Sequence, residues 1–365
     1  MKYVSVTYYS SMNFDSPEAW FQRTEAYAGI LQCLSKDNHV INIKRINYEG
    51  NVAHKGIDYR FLNIGKKDTR FPLKLNRYIK DLRPDIVLVQ GLHVPMQTIL
   101  LRLALGKKAK IIAQNHAERP FRGLKKYIQR WADRCINAYL FASDELGAEW
   151  VVNGNISSAR KIHEVMEISS VFSPMDKKTA VTKTKAKGSP AFLWVGRLDK
   201  NKDPLTVVNA FLQFTELCPA ARLYMIYHTE ELLGEIQAIL SKSPQKEAVT
   251  LVGKLPHGEL QYWFSSADII LSGSHYEGSG TAVCEAMSCG CMPVVTDIAS
   301  FRMITDNGRC GLLYTPGNAE ALLSALKKTL EMDITEKQKL SLDFFKSNLS
   351  FEAIAKRIRD IAVSL

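Results

Sequence analysis

The stretch that most limits what this chain of 365 residues can fold into is 269–297, where two short apolar runs flank a glycine-containing turn and a helix-like segment. The runs 269–271 and 293–295 predict buried strands, and the Gly-Ser-Gly sequence at 278–280 predicts a tight turn before the helix. Strand, loop, helix and strand in this order form the repeating unit of a parallel α/β sheet. Open sheets of this kind bind ligands at the carboxyl ends of their strands, so the turn is predicted to line a binding site.

Two glutamates, Glu277 and Glu285, flank this turn. Glycine lets the backbone approach a ligand closely, and the N–H groups at a helix start attract an anion, so a phosphate fits near Gly280 and Thr281. A carboxylate beside a phosphate is costly unless it meets hydrogen-bond donors, which favours a ligand with many hydroxyl groups. Taken alone, the two glutamates could equally be solvated loop and helix residues.

A second motif upstream favours the ligand-binding interpretation. Residues 192–195 predict a buried strand, and Gly196 predicts a turn. Arg197 and Lys202 then place two cations before a helix that begins near Pro204. Arginine offers a planar fork of donors and lysine a compact charge, and both bind phosphate oxygens well. The two motifs together indicate a site for a polyhydroxylated diphosphate.

With the stretch 253–274 between them, these motifs resemble the C-terminal domain of retaining GT-B glycosyltransferases of family 4, the glycosyl transferases group 1. The resemblance implies that Arg197 and Lys202 hold the diphosphate of a nucleotide-sugar donor. It also implies that Glu277 meets the transferred sugar and Glu285 the donor ribose. The donor-binding residues assigned on this resemblance are Gly196, Arg197, Lys202, Lys254, Leu255, Glu277, Gly278, Ser279, Gly280, Thr281 and Glu285.

The sequence departs from the family pattern at three places. Ser279 stands where the family commonly has Phe, and Ala299 and Ser300 stand where it often has two glycines. The loop after the first strand, 9–13, lacks the glycine-rich turn that is common there. Any ligand contact from that loop must therefore come from a polar side chain: Ser10, Ser11 or Asn13.

The first half of the chain predicts a second Rossmann-like sheet, because strand-like and helix-like segments alternate. Strands are predicted at 3–9, 40–43, 86–89 and 111–113, and a helix at 17–34. His93 and His116 follow two of these strands, and both resemble histidines of the family's N-terminal domain. His116 lies in a polar loop and is assigned to the catalytic set with Glu277, Arg197 and Lys202. His93 is compatible with a cleft position and equally with a core position.

These features predict the fold class α/β GT-B, with two Rossmann-like domains facing a central cleft. Residues 1–172 are predicted to form the acceptor domain and residues 190–349 the donor domain, and the polar, lysine-rich segment 173–189 is predicted to link them. The apolar spacing after Phe351 predicts a helix. The resemblance implies that this last helix, about 350–365, crosses back to the first domain.

The net charge of +11 comes entirely from an excess of Lys and Arg in residues 1–187. One predicted helix there carries Arg122, Lys126, Arg130 and Arg134 at every fourth position, and its apolar residues, among them Leu124 and Trp131, are expected to pack on the core. The basic side could be simply solvated or could meet an anionic membrane surface. Nucleic acid is excluded as a partner, because no nucleic-acid recognition motif accompanies the charge.

Seven scattered cysteines give no disulfide framework and are typical of a reducing compartment. Cys284, Cys289 and Cys291 with His275 lack the spacing of a zinc site, so neither a metal nor a cofactor is expected. The chain has no apolar stretch long enough to span a membrane and no signal-peptide pattern, so a cytoplasmic protein is expected. Peripheral attachment to the inner face of the cytoplasmic membrane is the alternative that the basic helix leaves open.

The function predicted from the resemblance is transfer of a sugar, with retention of configuration, from a nucleotide-sugar to a saccharide or lipid-linked acceptor, as in bacterial cell-surface polysaccharide synthesis. The alternatives are a nucleotide-sugar epimerase of the same fold and a non-catalytic nucleotide-sugar-binding subunit. A dinucleotide oxidoreductase is disfavoured, because no Gly-x-Gly-x-x-Gly motif follows the first strand. The chain contains no Asp-x-Asp motif for a metal-bound diphosphate.

Overall fold

The computed structural model describes residues 1–24, 28–64 and 71–365. The chain divides into two compact units, and each is described by itself. Unit 1 comprises Met1–Ser169 and Phe351–Leu365, and unit 2 comprises Ser170–Ser350. The last helix therefore belongs to unit 1, where the resemblance places it.

Unit 1 is built on an eight-stranded sheet with the order β3-β4-β2-β1-β5-β6-β7-β8. Its strands are β1 (Lys2–Val6), β2 (His39–Arg45), β3 (Gly50–His54), β4 (Ile57–Leu62), β5 (Ile86–Gln90), β6 (Lys110–Gln114), β7 (Ala138–Phe141) and β8 (Ile162–Glu164). Neighbouring strands are parallel except for the edge hairpin of β3 and β4. The strand order changes direction at β1, which pairs with β2 on one side and β5 on the other.

The helices of unit 1 cover this sheet. They are α1 (Pro17–Thr24), α2 (Gly29–Ser35), α3 (Leu73–Asp81), α4 (Pro95–Leu105), α5 (Gly123–Asp133), α6 (Asp144–Val152) and the C-terminal α15 (Phe351–Ser364), which packs on α2. The predicted strands of this half are confirmed with small shifts of their ends. The helix predicted over 17–34 is present as α1 and α2, and residues 25–27 between them lie outside the described residues.

Unit 2 has a six-stranded parallel sheet with the order β11-β10-β9-β12-β13-β14. Its strands are β9 (Ala191–Gly196), β10 (Arg222–Tyr227), β11 (Val249–Gly253), β12 (Ile269–Ser272), β13 (Met292–Thr296) and β14 (Leu312–Tyr314). Its helices are α7 (Lys177–Thr184), α8 (Pro204–Leu217), α9 (Leu233–Lys242), α10 (Leu260–Ser266), α11 (Thr281–Ser288), α12 (Ala299–Ile304), α13 (Ala319–Lys328) and α14 (Ile334–Phe344). The strand and helix predictions around both sequence motifs are confirmed.

The segment 173–189, predicted as a linker, is instead part of unit 2. It contains α7, which packs against α10. Asp176 caps this helix by accepting a hydrogen bond from the Thr179 N–H at 2.8 Å, and Ala180 is buried on its inner side. Lysine-rich composition suggested a flexible segment, but a capped helix that buries one small side chain needs little apolar content.

The inward side of the basic helix α5 is neither the predicted apolar row nor the basic row, since Arg122, Arg130 and Arg134 are exposed. Leu124, Tyr127 and Trp131 are 84, 68 and 67 % exposed, whereas Gln129 and Asp133 are buried. The prediction that the apolar residues pack on the core is therefore wrong for Leu124 and Trp131.

A buried polar network explains this orientation. The Tyr139 hydroxyl donates to Asp133 Oδ1 at 3.2 Å, and Lys161 Nζ donates to the same atom at 3.1 Å. Gln129 Nε2 donates to the Tyr139 hydroxyl at 3.3 Å. Because buried polar groups must find hydrogen-bond partners, these contacts outweigh burial of the apolar row.

Candidate functional site

The two motifs singled out in the sequence meet at the point where the strand order of unit 2 changes direction. The loop 197–203 follows β9 and the loop 273–280 follows β12, and these two strands are paired neighbours. A crevice forms beyond the strand ends at such a switch point, because the flanking loops diverge. Gly273 brings the loops together: a Cβ atom there would lie 3.0 Å from the Asp203 carbonyl oxygen, closer than most Cβ atoms approach a neighbour, so glycine favours this approach.

A tight turn after β9 fixes the direction of Lys202. The Lys202 N–H donates to Asp199 Oδ1 at 2.9 Å. Asp203 then caps α8 by accepting a hydrogen bond from the Thr206 N–H at 3.3 Å, with Pro204 in the first turn of the helix. The sequence DKNKDP thus combines a turn, a helix cap and a helix start, which leaves Lys202 with little conformational freedom.

Lys202 Nζ forms an ion pair with Glu277 Oε1, and both side chains are largely buried. The sequence analysis gave these residues separate roles, diphosphate binding and sugar binding, and the structure places them in direct contact. Arg197 Nε lies 3.1 Å from Asp199 Oδ2, and the Arg197 side chain is half exposed. The loop therefore holds one enclosed cation, Lys202, and two that are open to solvent, Arg197 and Lys200.

The start of α11 faces the same loops. Gly280, at φ 62°, precedes the helix, and a Cβ atom there would lie 2.6 Å from the Phe301 ring. The Gly280 carbonyl oxygen accepts hydrogen bonds from Val283 N and Cys284 N. The N–H groups of Thr281 and Ala282, the first two residues of the helix, therefore point out of the helix start. Ser279, which replaces the family's Phe, is buried beside them. This geometry suits a phosphate group.

Glu285 lies one turn further along α11, is buried, and accepts a hydrogen bond from His257 Nε2 at 2.7 Å. His257 belongs to the loop after β11, and its ring lies 4.8 Å from that of Phe172. Lys254 and Leu255, assigned to the donor site, precede it in this loop, with Lys254 exposed and Leu255 partly buried. Sequence reasoning missed His257, although its position two residues after Leu255 offered a signal.

His116, the one assigned catalytic residue outside unit 2, lies in unit 1 beside Glu167. Its Nδ1 contacts Glu167 Oε2, and its Nε2 lies 2.9 Å from Gln90 Oε1. Burial lowers the pKa of His116, but the hydrogen bond and charge of Glu167, together with the charge of Glu118, outweigh burial and raise the pKa above its ordinary value. Each ring nitrogen faces an acceptor oxygen, so the protonated form of the His116 ring has a hydrogen-bond partner at both nitrogens.

His93 is tied to the His116 loop through Glu118. Its Nδ1 lies 2.7 Å from Glu118 Oε1, which also accepts from the Leu92 N–H at 2.9 Å. The other oxygen, Oε2, accepts from the N–H of His116 at 2.6 Å. Both histidines line one cavity of unit 1, so the position of His93 is that of a cavity residue rather than a closed core residue.

Comparison with known proteins adds to this geometry. Residues 176–341, nearly all of unit 2, match the family model described as Glycosyl transferases group 1. Unit 2 is a glycosyl transferases group 1 domain. Both sequence motifs and their flanking strands lie within the matched residues.

The matches with curated relatives span only part of the length of each relative. Glycogen synthase of Desulfitobacterium hafniense is 34 % identical over 112 residues, 28 % of this chain and 24 % of that protein. O-antigen chain mannosyltransferase B of Escherichia coli is 26 % identical over 95 residues, 26 % of this chain and 24 % of that protein. The matched part thus spans about a quarter of each curated relative.

Solved structures resemble the whole chain. Anabaena HepE in complex with UDP aligns with a TM-score of 0.73 at 13 % identity and covers 100 % of both chains. At this identity the likeness concerns the fold, which is GT-B, as predicted. The glycosyl transferases group 1 domain supplies unit 2 of that fold.

The domain brings together Arg197, Lys202 and Glu277, and holds Glu285 on the helix that begins beside them. Their roles towards a donor stay predictions. Cys284, Cys289 and Cys291 are buried as free thiols, and burial raises the pKa of the Cys289 thiol to about 11. Within residues 1–24, 28–64 and 71–365, no group of three or more His, Cys, Asp or Glu side chains could hold a metal ion.

Proposed function

We propose that the chain transfers a sugar from a nucleotide-sugar donor to a saccharide or lipid-linked acceptor, with retention of configuration at the sugar. The observation that carries this proposal is the contact of Lys202 with Glu277, beside Arg197 and the start of α11, at the switch point of a glycosyl transferases group 1 domain. This arrangement offers cations and helix N–H groups to a diphosphate and a carboxylate to the hydroxyls of a sugar.

Lys202 is suited to stabilise the departing nucleoside diphosphate. Its ammonium group has three N–H donors, and Glu277 takes one of them, so the ion pair orients the ammonium while donors remain for phosphate oxygens. Negative charge grows on the diphosphate as the sugar leaves, and a donor already aimed at that charge contributes about 10²–10³ in rate. Arg197 adds a planar, solvent-accessible fork of donors.

The two carboxylates take complementary parts in this proposal. Glu277 accepts from the sugar hydroxyls while it holds Lys202 in place. Glu285 has several lone-pair positions, and His257 uses one of them, so the carboxylate is oriented and can accept from the ribose hydroxyls. We assign His116 to the acceptor side, where its ring orients the acceptor.

We also propose that the reaction needs no metal ion or cofactor. The support is the charge of Arg197 and Lys202, which supply the positive charge that a metal supplies where an Asp-x-Asp motif binds it.

The donor is tested by isothermal titration calorimetry with UDP, GDP and ADP, with UDP first because HepE is in complex with UDP. The matched variants are Lys202→Met and Lys200→Met, since Lys200 is exposed two residues away in the same loop. One nucleotide should bind to the wild-type protein and to Lys200→Met, and at least tenfold more weakly to Lys202→Met. Absence of nucleotide binding, or equal affinity in both variants, would overturn the donor site.

The rival functions are separated by the products. Incubation of the matching nucleotide-sugar without acceptor should leave it largely intact. Conversion to an epimer would identify an epimerase, whereas binding without turnover of any acceptor mixture would favour a non-catalytic subunit.

The likeness to O-antigen chain mannosyltransferase B supports a place in bacterial cell-surface polysaccharide synthesis. For such an acceptor, we propose that unit 1 docks on the inner face of the cytoplasmic membrane through α5. Leu124, Tyr127 and Trp131 form an exposed apolar row on a helix that also carries Arg122, Lys126, Arg130 and Arg134. Each basic residue contributes about 1 kcal/mol near an anionic surface, and apolar side chains enter the boundary between headgroups and acyl chains.

Co-sedimentation with phosphatidylserine vesicles tests this docking. The wild-type protein should bind and Trp131→Ser should bind several-fold less, while Leu217→Ser, at an exposed position of unit 2, should behave as the wild type. Equal binding of all three proteins would refute the role of α5.

Within the part of the chain that the structure describes, no helix is both long and apolar enough to cross a bilayer.

A further inference from the structure

Unit 1 contains a cavity of about 480 Å³ on one face of its sheet. This volume lies within the range of about 300–1,000 Å³ that is typical of small-molecule sites. Side chains of alternate residues on β1, β2, β5 and β6 form its floor, and residues of α1, α2 and α15 cover it. The polar side chains at this floor and its rim include Ser5, Thr7, Ser11, Asn42, Lys44 and Gln90.

Lys44 is the unusual member of this lining. It is mostly buried near the end of β2, and burial lowers the pKa of its ammonium group to about 8. Its Nζ lies 5.6 Å from the centre of the Trp20 ring. Among the described residues, no carboxylate forms an ion pair with it and no hydrogen bond of its side chain is found.

The carboxylate of Glu167, in the same cavity, does not form an ion pair with Lys44. Glu167 also lines the cavity, and its Oε2 is engaged by the His116 ring. Glu167 is thus held by His116, and among the described residues it forms no ion pair with Lys44. The Trp20 ring offsets only part of the cost of burying the Lys44 charge, because a cation–π contact is weaker than an ion pair in the same surroundings.

A buried charge without a partner is expensive, and such groups concentrate where a ligand supplies the missing charge. The neighbouring hydroxyl and amide groups of Ser5, Thr7 and Asn42 can donate to the other oxygens of an anion or to sugar hydroxyls. The apolar part of the lining, which includes Leu88 and Ile112, suits the carbon face of the same molecule.

We propose that this cavity binds an acceptor that carries a phosphate ester, with Lys44 as the counter-charge of the phosphate. The inference rests on the proposed transferase function only in naming the ligand an acceptor. It deepens that function by giving the acceptor a chemical class: a phosphorylated molecule rather than a neutral saccharide. Ser11, the residue of the glycine-free loop 9–13 that lines the cavity, would contact the same ligand.

The test measures binding of inorganic phosphate by isothermal titration calorimetry at pH 7 in phosphate-free buffer. Four proteins are compared: the wild type, Lys44→Met, Lys107→Met and Lys202→Met. Lys107 is an exposed lysine of unit 1 outside the cavity, and Lys202→Met removes the cation of the site in unit 2. Phosphate affinity should fall at least tenfold in Lys44→Met, and a binding event should persist in the other two variants.

A second probe distinguishes the source of the phosphate. Dihexanoyl phosphatidate, kept below its micelle-forming concentration, presents the phosphate on a lipid. Tighter Lys44-dependent binding of this probe would assign the site to a lipid-borne phosphate, and equal or weaker binding would assign it to a water-soluble phosphate ester.

The inference is overturned if neither probe binds, or if Lys44→Met binds both as well as the wild type does. UDP binding to the same samples keeps the two proposals separate. Lys44→Met should bind UDP as the wild type does, which also shows that it is folded. If no nucleotide binds but phosphate binding depends on Lys44, the proposed function is refuted and the phosphate site in unit 1 is still supported.

Discussion

The switch point of unit 2 and the Lys44 position of unit 1 differ in how a buried charge is partnered. At the switch point of unit 2, Lys202 forms an ion pair with Glu277 and His257 contacts Glu285, so each carboxylate has a side-chain partner. In the cavity of unit 1, Lys44 has no such partner within the described residues. Paired groups orient each other and offer their remaining hydrogen-bonding positions, whereas a lone buried cation lowers stability until an anion binds. The difference indicates a preorganised donor site and a cavity that a ligand completes.

The largest expected effect is on the paired side. Lys202→Met should lower the rate of nucleotide release from the donor in the presence of acceptor by about 10²–10³, because the developing diphosphate charge loses an oriented donor. Lys200→Met should stay within about twofold of the wild type. Steady-state kinetics on the donor selected by calorimetry measures both variants. A similar loss in the two variants would mean that general positive charge, not the Glu277-oriented ammonium, accounts for the effect.

Removal of the lone cation, Lys44, should raise the stability of the protein rather than lower it. Because the pKa of Lys44 is lowered to about 8 from 10.5, the unfolded chain binds more protons than the folded one between these values, and stability rises with pH across that window. The free energy of unfolding of Lys44→Met at pH 7 should therefore exceed that of the wild type by up to roughly 3 kcal/mol. This gain in stability should disappear near pH 10.5.

Urea unfolding at pH 7, 9 and 10.5, with Lys107→Met as the control, measures this difference. A loss of stability in Lys44→Met at pH 7 would show that Lys44 is satisfied in the folded protein. The contrast between the units would then fail.

The close approach of the loops in unit 2 predicts a smaller change. Gly273→Ala should lower the free energy of unfolding by about 1–3 kcal/mol, because the added Cβ would press on backbone carbonyls of Lys202 and Asp203. Gly234→Ala, where a Cβ meets nothing within 4 Å at the start of α9, should instead raise stability by about 0.5–1 kcal/mol. Thermal unfolding measures the melting temperatures of the two variants. Equal shifts in melting temperature would argue that crowding of the two loops does not fix the position of Lys202.

The smallest expected effect concerns the second pair of unit 2. His257→Ala should weaken nucleotide binding about tenfold, or roughly 1.4 kcal/mol, because Glu285 loses the donor that orients it. His257→Gln, which keeps a donor, should recover part of this affinity. Calorimetry with the nucleotide that binds the wild type provides the measurement. Unchanged affinity in His257→Ala would show that Glu285 needs no orienting partner.

Local patterns in the sequence predicted much of this architecture. The apolar runs around 192–195 and 269–271 became paired central strands, and Gly280 became the left-handed residue before α11. These features depend on neighbours in the chain, such as strand alternation, turn chemistry and helix starts. Arg197, Lys202 and Glu277 were singled out for the same reason, since each sits a few residues after a strand.

Features set by distant contacts were not predicted. Glu285 is oriented by His257, 28 residues earlier, and the Lys202–Glu277 contact joins positions 75 apart. Lys44 attracted no notice, because one lysine in a strand is ordinarily a solvated side chain. The face of α5 was assigned wrongly, because hydropathy alone does not register the buried network around Asp133.

The sequence by itself thus determined the two α/β sheets, the position of the switch-point loops and the types of residue that they carry, because short-range propensities and hydrophobic periodicity encode these features. Only the tertiary structure decided which charges are paired, which lysine is left alone in a cavity and which side of α5 meets solvent. Such outcomes depend on burial and on partners from remote segments, and the cost of a charge or the worth of a hydrogen bond follows from those surroundings rather than from the residue type.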